Sequence, residues 1–575
     1  MRFKFCILLA TCCLASPLLD RESRKVKREV QFSPNQERAD AVKEAFLHAW
    51  DGYYRYAFPN DELRPVSNGY SNGRNGWGAS AVDALSTAII MELVNIVDEI
   101  VKYVPTINWS STSSTVSVFE TTIRYLGGLL SSYDLLNGPF SHLIENEDLV
   151  NGLLQQAKDL ADHLAPAFNT ATGIPDNMIN ITTGELTTVD QSTGLAVAGT
   201  LVMEWTRLSD LLNEPHYATL AQTAENFLLR PTYQDPNHEP FPGLEGTTIN
   251  FTTGQFLDVY GGWGGGTDSF YEYLIKMWVY DRNKYGEYKD RWTTAADSTI
   301  QFLLQHPSSR PDITFVASYD GQSLVSSSGH LAGFIGGNFL LGGLVLERQD
   351  YIDAGLQFTA AWHETYVEDA TGIGPENFSW LPESCASNQT VQRRQVTNSQ
   401  QLHDKDFEDS SGLVRGQDST VPSTSPIAVL SATSNSTPSP ASCSLPASAT
   451  AQAQFYAKSG FYITTDSYDL RPEVLESYYY AYRITGDTKY QDWAWDAFVA
   501  INSTARVGSG FSSFKGVNGA QIQYGDFQES FLFAEVLKYA YLIFAEDGPW
   551  QVNFGGNGTN AYVFNTEAHP IRVNT

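Results

Sequence analysis

The stretch Phe334-Ile-Gly-Gly-Asn-Phe-Leu-Leu-Gly-Gly-Leu-Val-Leu346 decides the fold. It holds no proline and carries apolar residues on more than one helical face. A helix of that kind is buried all round. The amphipathic stretch Tyr351–Tyr366 follows at once, so the two read as a helical hairpin with one arm facing an interior. The pattern extends outward in both directions. Ser80–Tyr103 has helical spacing. Val116–Leu136 and Leu149–Ala167 pair across Asn137-Gly138-Pro139. Gly194–Leu212 precedes His216–Leu229, Asp268–Tyr280 precedes Tyr288–Gln305, and the first arm quoted begins at about His330. Pro472–Ile484 turns at Thr485-Gly486-Asp487 into Lys489–Ala505, and Glu529–Glu546 is a last long helix. Stretches rich in Gly, Ser and Thr, such as Thr247–Gly254 and Gly508–Gly519, predict short β-hairpins between the pairs. No strand–helix–strand alternation occurs, which excludes a doubly wound sheet. Successive hairpins with buried inner arms predict an all-α toroidal barrel; a helical-repeat solenoid is the alternative.

Composition narrows the function. The 575 residues are 42% hydrophobic, ample for a large core, and 36 Lys+Arg face 65 Asp+Glu for a net charge of -29. That balance disfavours nucleic acid, whose binding draws on clustered basic residues. Aromatics at 13% in an acidic, weakly charged chain fit a secreted carbohydrate enzyme. Arg2 and Lys4 precede an apolar run, Phe5 to Ala15, so residues 1–19 read as a secretory signal peptide. A short Golgi membrane anchor is the alternative, although the run is short for a bilayer. Residues 20–28 end in Lys27-Arg28 and read as a propeptide with a dibasic processing site; removing residues 1–28 takes the charge to -34. No membrane contact beyond the signal peptide is expected, and a monomer is the default.

Cys6, Cys12 and Cys13 leave with the leader. Cys385 and Cys443 remain, and in an oxidising compartment they are expected to form one disulfide. Two cysteines alone make no zinc site. Eight Asn-x-Ser/Thr sequons, Asn377 among them, fit a glycoprotein. Residues 385–453 lose hydrophobic periodicity and read as a disordered insertion within a single domain spanning 36–575, or as a linker between two.

Chemistry points to carboxylates in apolar or Gly-rich settings, where an acid is costly unless it is paired, protonated or metal-linked. Glu120 and Arg124 stand four apart on one helical face. Gly261-Gly-Trp-Gly-Gly-Gly-Thr-Asp268 runs into a helix with Asp268 at or near its N-cap and Glu272 one turn on; it lacks the Lys of a phosphate-binding loop. Arg471-Pro472-Glu473 opens another helix, with Glu476 three residues later, and Gly374-Pro375-Glu376 repeats the Pro-Glu opening. Phe531 and Glu535 share a face. The segment Tyr562 to Pro570 is extended and apolar with a polar tip, a shape that can plug a barrel. Carboxylates from several helices among Phe, Trp and Arg suit glycoside hydrolysis, and spare oxygens can hold calcium.

These blocks resemble glycoside hydrolase family 47, the class I processing α-1,2-mannosidases, secreted fungal members above all. The resemblance runs from about Arg38 to Pro570. It rests on Ala49-Trp50-Asp51-Gly52-Tyr53-Tyr54, Val82-Asp83-Ala84-Leu85, Phe119–Leu130, Asp268–Leu274, Thr371–Glu376, Leu470–Glu473 and Phe564–His569. It implies an (α/α)7 barrel with a C-terminal β-hairpin plug, and calcium-dependent hydrolysis of terminal α-1,2-mannose from high-mannose N-glycans with inversion. It also implies a secreted protein, with retention in the Golgi or endoplasmic reticulum as the alternative, and it leaves open a non-catalytic, lectin-like reading. Glu120 then matches the general acid, Glu473 the general base and Asp268 the third catalytic carboxyl, with Glu120 and Asp268 competing as proton donor. Thr566 matches the calcium ligand. Glu376, Glu476, Glu535 and Glu567 match acids that hold its waters or the sugar, and Arg124, Glu204, Glu272, Arg471 and Phe531 match pocket-lining positions. Two departures stand out. A family disulfide is replaced by Gly333 and Trp362. Gly266, two before Asp268, stands where single-mannose trimmers carry Arg, which implies broad branch specificity. Asn377, next to Glu376, is expected to carry no glycan.

Overall fold

The computed structural model describes residues 30–112, 114–234, 238–386, 443–519 and 521–574. The expected signal peptide and propeptide lie outside the described residues, as do residues 387–442 of the expected insertion.

Among the described residues, fourteen principal helices form seven packed pairs. The inner arms are Ala79–Ile90, Gly127–Leu136, Val202–Leu212, Asp268–Tyr280, Ile335–Leu346, Glu473–Thr485 and Leu537–Leu542. Each packs on an outer arm: Val94–Tyr103, Glu147–Leu164, His216–Leu229, Gly286–Ser298, Gln349–Val367, Lys489–Thr504 and, for the last, the N-terminal Gln36–Tyr56. Neighbouring inner arms touch in chain order. The turn Leu532–Val536, which leads into the last inner arm, returns to Ala79–Ile90 and closes the ring. This is the toroid expected from the all-apolar stretch.

Burial explains which arm lies inside. Every residue of Ala79–Ile90 is buried. The outer Glu147–Leu164 buries only one stripe, Val150, Leu153, Ala157, Leu160, Ala161 and Leu164, and is capped by the Asn146 side chain, which accepts from the Asp148 N–H. Glycines let the quoted pair approach. A Cβ added at Gly336 would stand 2.4 Å from Thr359 Oγ1, and one at Gly355 would stand 2.9 Å from the Gly336 carbonyl oxygen. Any larger side chain there forces the two helices apart.

The C-terminal hairpin, Tyr562–Phe564 with Pro570–Arg572, pairs Val563 with Ile571 and packs against Gly127–Leu136 and Asp268–Tyr280 inside the ring. Asn565 shapes its tip: its Oδ1 accepts from the N–H groups of Glu567 (3.0 Å) and His569 (2.8 Å). Within residues 562–571, Thr566 alone escapes full burial. Short antiparallel hairpins, among them Thr248–Asn250 with Gln255–Phe256 and Phe514–Lys515 with Gln523–Tyr524, join the pairs as the Gly-rich stretches predict.

The structure departs from the sequence reading at several points. Ser80–Tyr103 is two helices, broken at residues 91–93, where Glu92 adopts φ 54°. The outer arm Gln36–Tyr56 went unread. Asp268, expected at or near the N-cap, is the first helical residue, next to Thr267 in the cap position. The closing part of the expected insertion is ordered: Ala447–Gln452 is a 3-10 turn, and the Gln452 amide bonds the backbone of Ile463. Cys385 and Cys443 are joined, with Cα atoms 5.0 Å apart. Among the described residues no helix is long and apolar enough to cross a membrane.

Candidate active site

The catalytic candidates come from separate elements that converge around the hairpin tip. Glu120 lies just before a π-helical turn, Thr122–Leu126, that carries Arg124; a second π-helical turn, Leu532–Val536, carries Glu535. Such bulges re-aim side chains and recur at functional sites. Here they turn Arg124 and Glu535 toward the plug.

Arg124 is the hub. Its Nε donates to Glu120 Oε2 at 2.9 Å. Its Nη1 lies 3.1 Å from Glu567, 3.1 Å from the Ser530 hydroxyl and 3.7 Å from Asp83, and its guanidinium stands 5.4 Å from the centre of the Phe531 ring. Arg74 Nη1 holds the other Glu120 oxygen at 3.3 Å. Burial pushes the Glu120 carboxyl up, but Arg124 and Arg74 outweigh it and hold it at about 2. Glu120 is therefore an anion at any ordinary pH.

Glu473, at the start of an inner arm, accepts from His330 Nδ1 at 2.9 Å. Burial raises its carboxyl, but that hydrogen bond and Arg471 prevail and bring it below 4.5. Arg471 Nε in turn reaches both Glu376 oxygens, at 3.1 and 2.9 Å. Asp268 has no such cation. Burial raises it to about 7; the Ser269 N–H and, less, Arg471 pull it down while Glu272 and Glu473 push it up. Two carboxyls held low by cations and one raised by burial thus share one electrostatic neighbourhood, the division of labour that acid–base hydrolysis needs.

The base of the pocket is dense in acid. Lys276 pairs with Glu272 and stands 4.0 Å from Glu476, which also accepts from Tyr539 at 3.1 Å. Burial lifts Glu476 and Glu567 to about 8 and Glu535 far above its usual range, with repulsion from neighbouring acids adding to each: Glu272 and Glu473 on Glu476, Asp83 and Glu120 on Glu567, and Glu567, Glu473 and Glu476 on Glu535. Glu567 Oε2 is buried with no hydrogen-bond partner. Crowded acids, an orphaned carboxylate oxygen and the half-buried Thr566 tip fit a hard cation held through Thr566 oxygens, its waters held by the surrounding glutamates. No cluster of three or more His, Cys, Asp or Glu fit to ligate a metal directly exists among the described residues.

With this geometry in hand, comparison with known proteins is decisive. The chain matches Glycosyl hydrolase family 47 over residues 45–573. The chain belongs to glycosyl hydrolase family 47. It is 50% identical over 571 residues to a mannosyl-oligosaccharide alpha-1,2-mannosidase of Coccidioides posadasii, covering 99% of this chain and 96% of that one. It is 51% identical over 542 residues to a mannosyl-oligosaccharide alpha-1,2-mannosidase 1B of Aspergillus phoenicis, covering 94% and 92%. It superposes on a solved alpha-1,2-mannosidase from Trichoderma reesei with a TM-score of 0.81 and 46% identity, covering 94% of this chain and all of that one.

Within this family 47 chain, the expected residues Glu120, Arg124, Asp268, Glu272, Glu376, Arg471, Glu473, Glu476, Phe531, Glu535, Thr566 and Glu567 form one electrostatic neighbourhood. Glu204 is fully buried beside Glu272; one oxygen accepts from Tyr273 (2.6 Å) and Asn565 (2.8 Å), which ties it to the hairpin tip, and Oε2 is without a hydrogen-bond partner. The sequence reading missed Arg74, Glu529 and the role of His330. Glu529 lies deep among Arg74, Arg124 and Arg471 and beside Glu120, and burial raises its carboxyl. Only its place at the head of Glu529-Ser-Phe531 hinted at this. Gly333 and Trp362, expected in place of a disulfide, do face each other: a Cβ on Gly333 would stand 3.0 Å from Trp362 Cδ1.

Proposed function

We propose that this chain is a calcium-dependent, inverting α-1,2-mannosidase that removes terminal α-1,2-linked mannose from high-mannose N-glycans in the secretory pathway. The observation that carries it is the unequal protonation of three converging carboxyls: Glu473 and Glu120 ionised, Asp268 raised to about 7. Family membership and the names of the relatives supply the substrate class.

In this reading Glu473 takes a proton from water as the water oxygen bonds to the anomeric carbon. The glycosidic C–O bond breaks on the opposite face, and the leaving oxygen takes the proton of Asp268. Glu120, clamped by Arg74 and Arg124, places negative charge near the oxocarbenium-like carbon. Phe531 offers an apolar ring beneath the sugar. When bound at Thr566, calcium would fix sugar hydroxyls and order water among the glutamates. Broad branch specificity is supported by the loop before Asp268: nothing lies within 4 Å of a Cβ added at Gly264, and Gly266, at φ 96°, holds a conformation that a side chain disfavours.

Glu473→Gln and Asp268→Asn test the assignment. Each is expected to cut release of mannose from α-1,2-mannobiose by about 100-fold or more while leaving binding of a high-mannose glycan measurable. Binding without turnover by the wild-type protein would mark a lectin instead.

A further inference from the structure

We propose that Tyr366 and Trp362, one turn apart on the outer helix Gln349–Val367, form a brace that positions His330 and, through it, the Glu473 carboxylate. The inference rests on the reading of Glu473 as general base. Trp362 Nε1 donates to the carbonyl of Gly329, the residue before His330, at 3.0 Å. The Tyr366 hydroxyl lies 2.8 Å from His330 Nε2. One residue therefore fixes the backbone that carries the imidazole and the other fixes its ring. All three side chains are buried, with His330 at 2%, Trp362 at 1% and Tyr366 at 3% exposure. Trp362 is itself wedged edge-on against Phe315 and Phe378 and covers Gly333.

The chemistry follows from the two ring nitrogens. An ionised Glu473 only accepts, so His330 Nδ1 must carry the proton that faces it. In the neutral imidazole Nε2 is then an acceptor, and the Tyr366 O–H supplies its donor. Tyr366 thus selects the tautomer that serves the base, as an outer partner orients a ligating or catalytic histidine elsewhere. A covalent bridge is not needed here, because the indole ties the helix to the same segment. The other groups that face Glu473 are Arg471, Asp268, Glu476, Glu535 and Tyr468. The brace leaves all of them in place. Tyr366 lies close enough to Glu473 and Glu376 to feel their charge, but its hydrogen bond goes to His330 and that of Trp362 to Gly329, so both are positioning residues.

The test compares Tyr366→Phe, Trp362→Phe and Glu473→Gln in the full-length enzyme with calcium held constant. Each is assayed for kcat, KM and the pH profile of kcat/KM on α-1,2-mannobiose, with Tm measured in parallel. Tyr366→Phe frees Nε2 to take the proton, weakens the bond to Glu473 and lets its carboxyl rise. Expected are a kcat lower by roughly tenfold, an unchanged KM and an acid limb moved upward by about half a pH unit or more. Trp362→Phe keeps most of the ring packing and removes the N–H; a fall in kcat of about threefold with the same upward drift is expected. Tm loss with a wild-type pH profile in both variants would reduce the pair to packing and overturn the brace. If one variant fails to fold, the other decides on the same readouts. Retained activity in Glu473→Gln would overturn the reading of the base itself, a separate result.

Discussion

The clearest consequence of the site's electrostatics is a pH profile with assignable limbs. The kcat/KM of an enzyme reports the ionisations of its free form. Asp268 sits at about 7 because burial and the neighbouring Glu272 and Glu473 penalise its charge. As donor it must be protonated, so activity is lost as pH rises through that value. Asp268 is about 99% protonated at pH 5 and about 10% at pH 8. Glu473 lies below 4.5, so the acid limb falls below that pH. The expected profile, measured on α-1,2-mannobiose at saturating calcium, is a plateau between about 5 and 6.5 with a tenfold loss per unit well above 7. Asp268→Asn is expected to abolish the basic limb and cut the rate by about 100- to 10,000-fold. On α-mannosyl fluoride, whose leaving group needs no proton, the same variant is expected to recover much of that loss. A basic limb that survives in Asp268→Asn, or recovery on the fluoride by Glu120→Gln instead, refutes the assignment and moves the proton to Glu120.

Three further outcomes follow from single positions. Asp369 is buried, both its oxygens lack hydrogen-bond partners, and burial raises it to about 8 from 3.8. The unfolded chain releases this proton first, so the residue costs increasing stability from about pH 4 up to about 8. Asp369→Asn is expected to match wild-type Tm at pH 4 and to gain roughly 1–3 kcal/mol at pH 8, read by thermal unfolding. Gly264→Arg fills open space in the loop that leads to Asp268. It is expected to leave turnover of mannobiose within about twofold and to slow trimming of a branched high-mannose glycan by tenfold or more, followed by glycan mass profiling. Asn377 is exposed, but its Oδ1 would lie 2.9 Å from a Cβ at Gly329, against the segment that holds His330. Glycopeptide mass analysis is expected to find this sequon empty; an occupied Asn377 in active enzyme would contradict that reading.

The fold was legible where burial leaves a pattern. Phe334–Leu346 is apolar on all sides because it is an inner arm, and the Gly-rich connectors do form hairpins. Legibility failed where tertiary contacts override local signals. Neither glycine nor proline marks the break after Ile90; the chain turns at Glu92 so that Val94–Tyr103 can pack outward. Gln36–Tyr56 is an outer, amphipathic helix, and its partner, the last inner arm, lies some 480 residues away in sequence. The site divides in the same way. Acids flagged by unusual local settings, Glu120, Asp268 and Glu473, do converge. Their controls did not stand out: Arg74 reaches Glu120, and His330 reaches Glu473 across 143 residues. Both are ordinary polar residues until the ring closes.

The central claim is that Glu473 activates water for attack opposite the leaving sugar, beside a cation seated at Thr566. Proton NMR of the first mannose released from α-1,2-mannobiose, with and without EDTA, tests it most directly. The account predicts β-mannose appearing before mutarotation, with release suppressed by EDTA and restored by calcium. First-formed α-mannose, or release indifferent to EDTA, would contradict it.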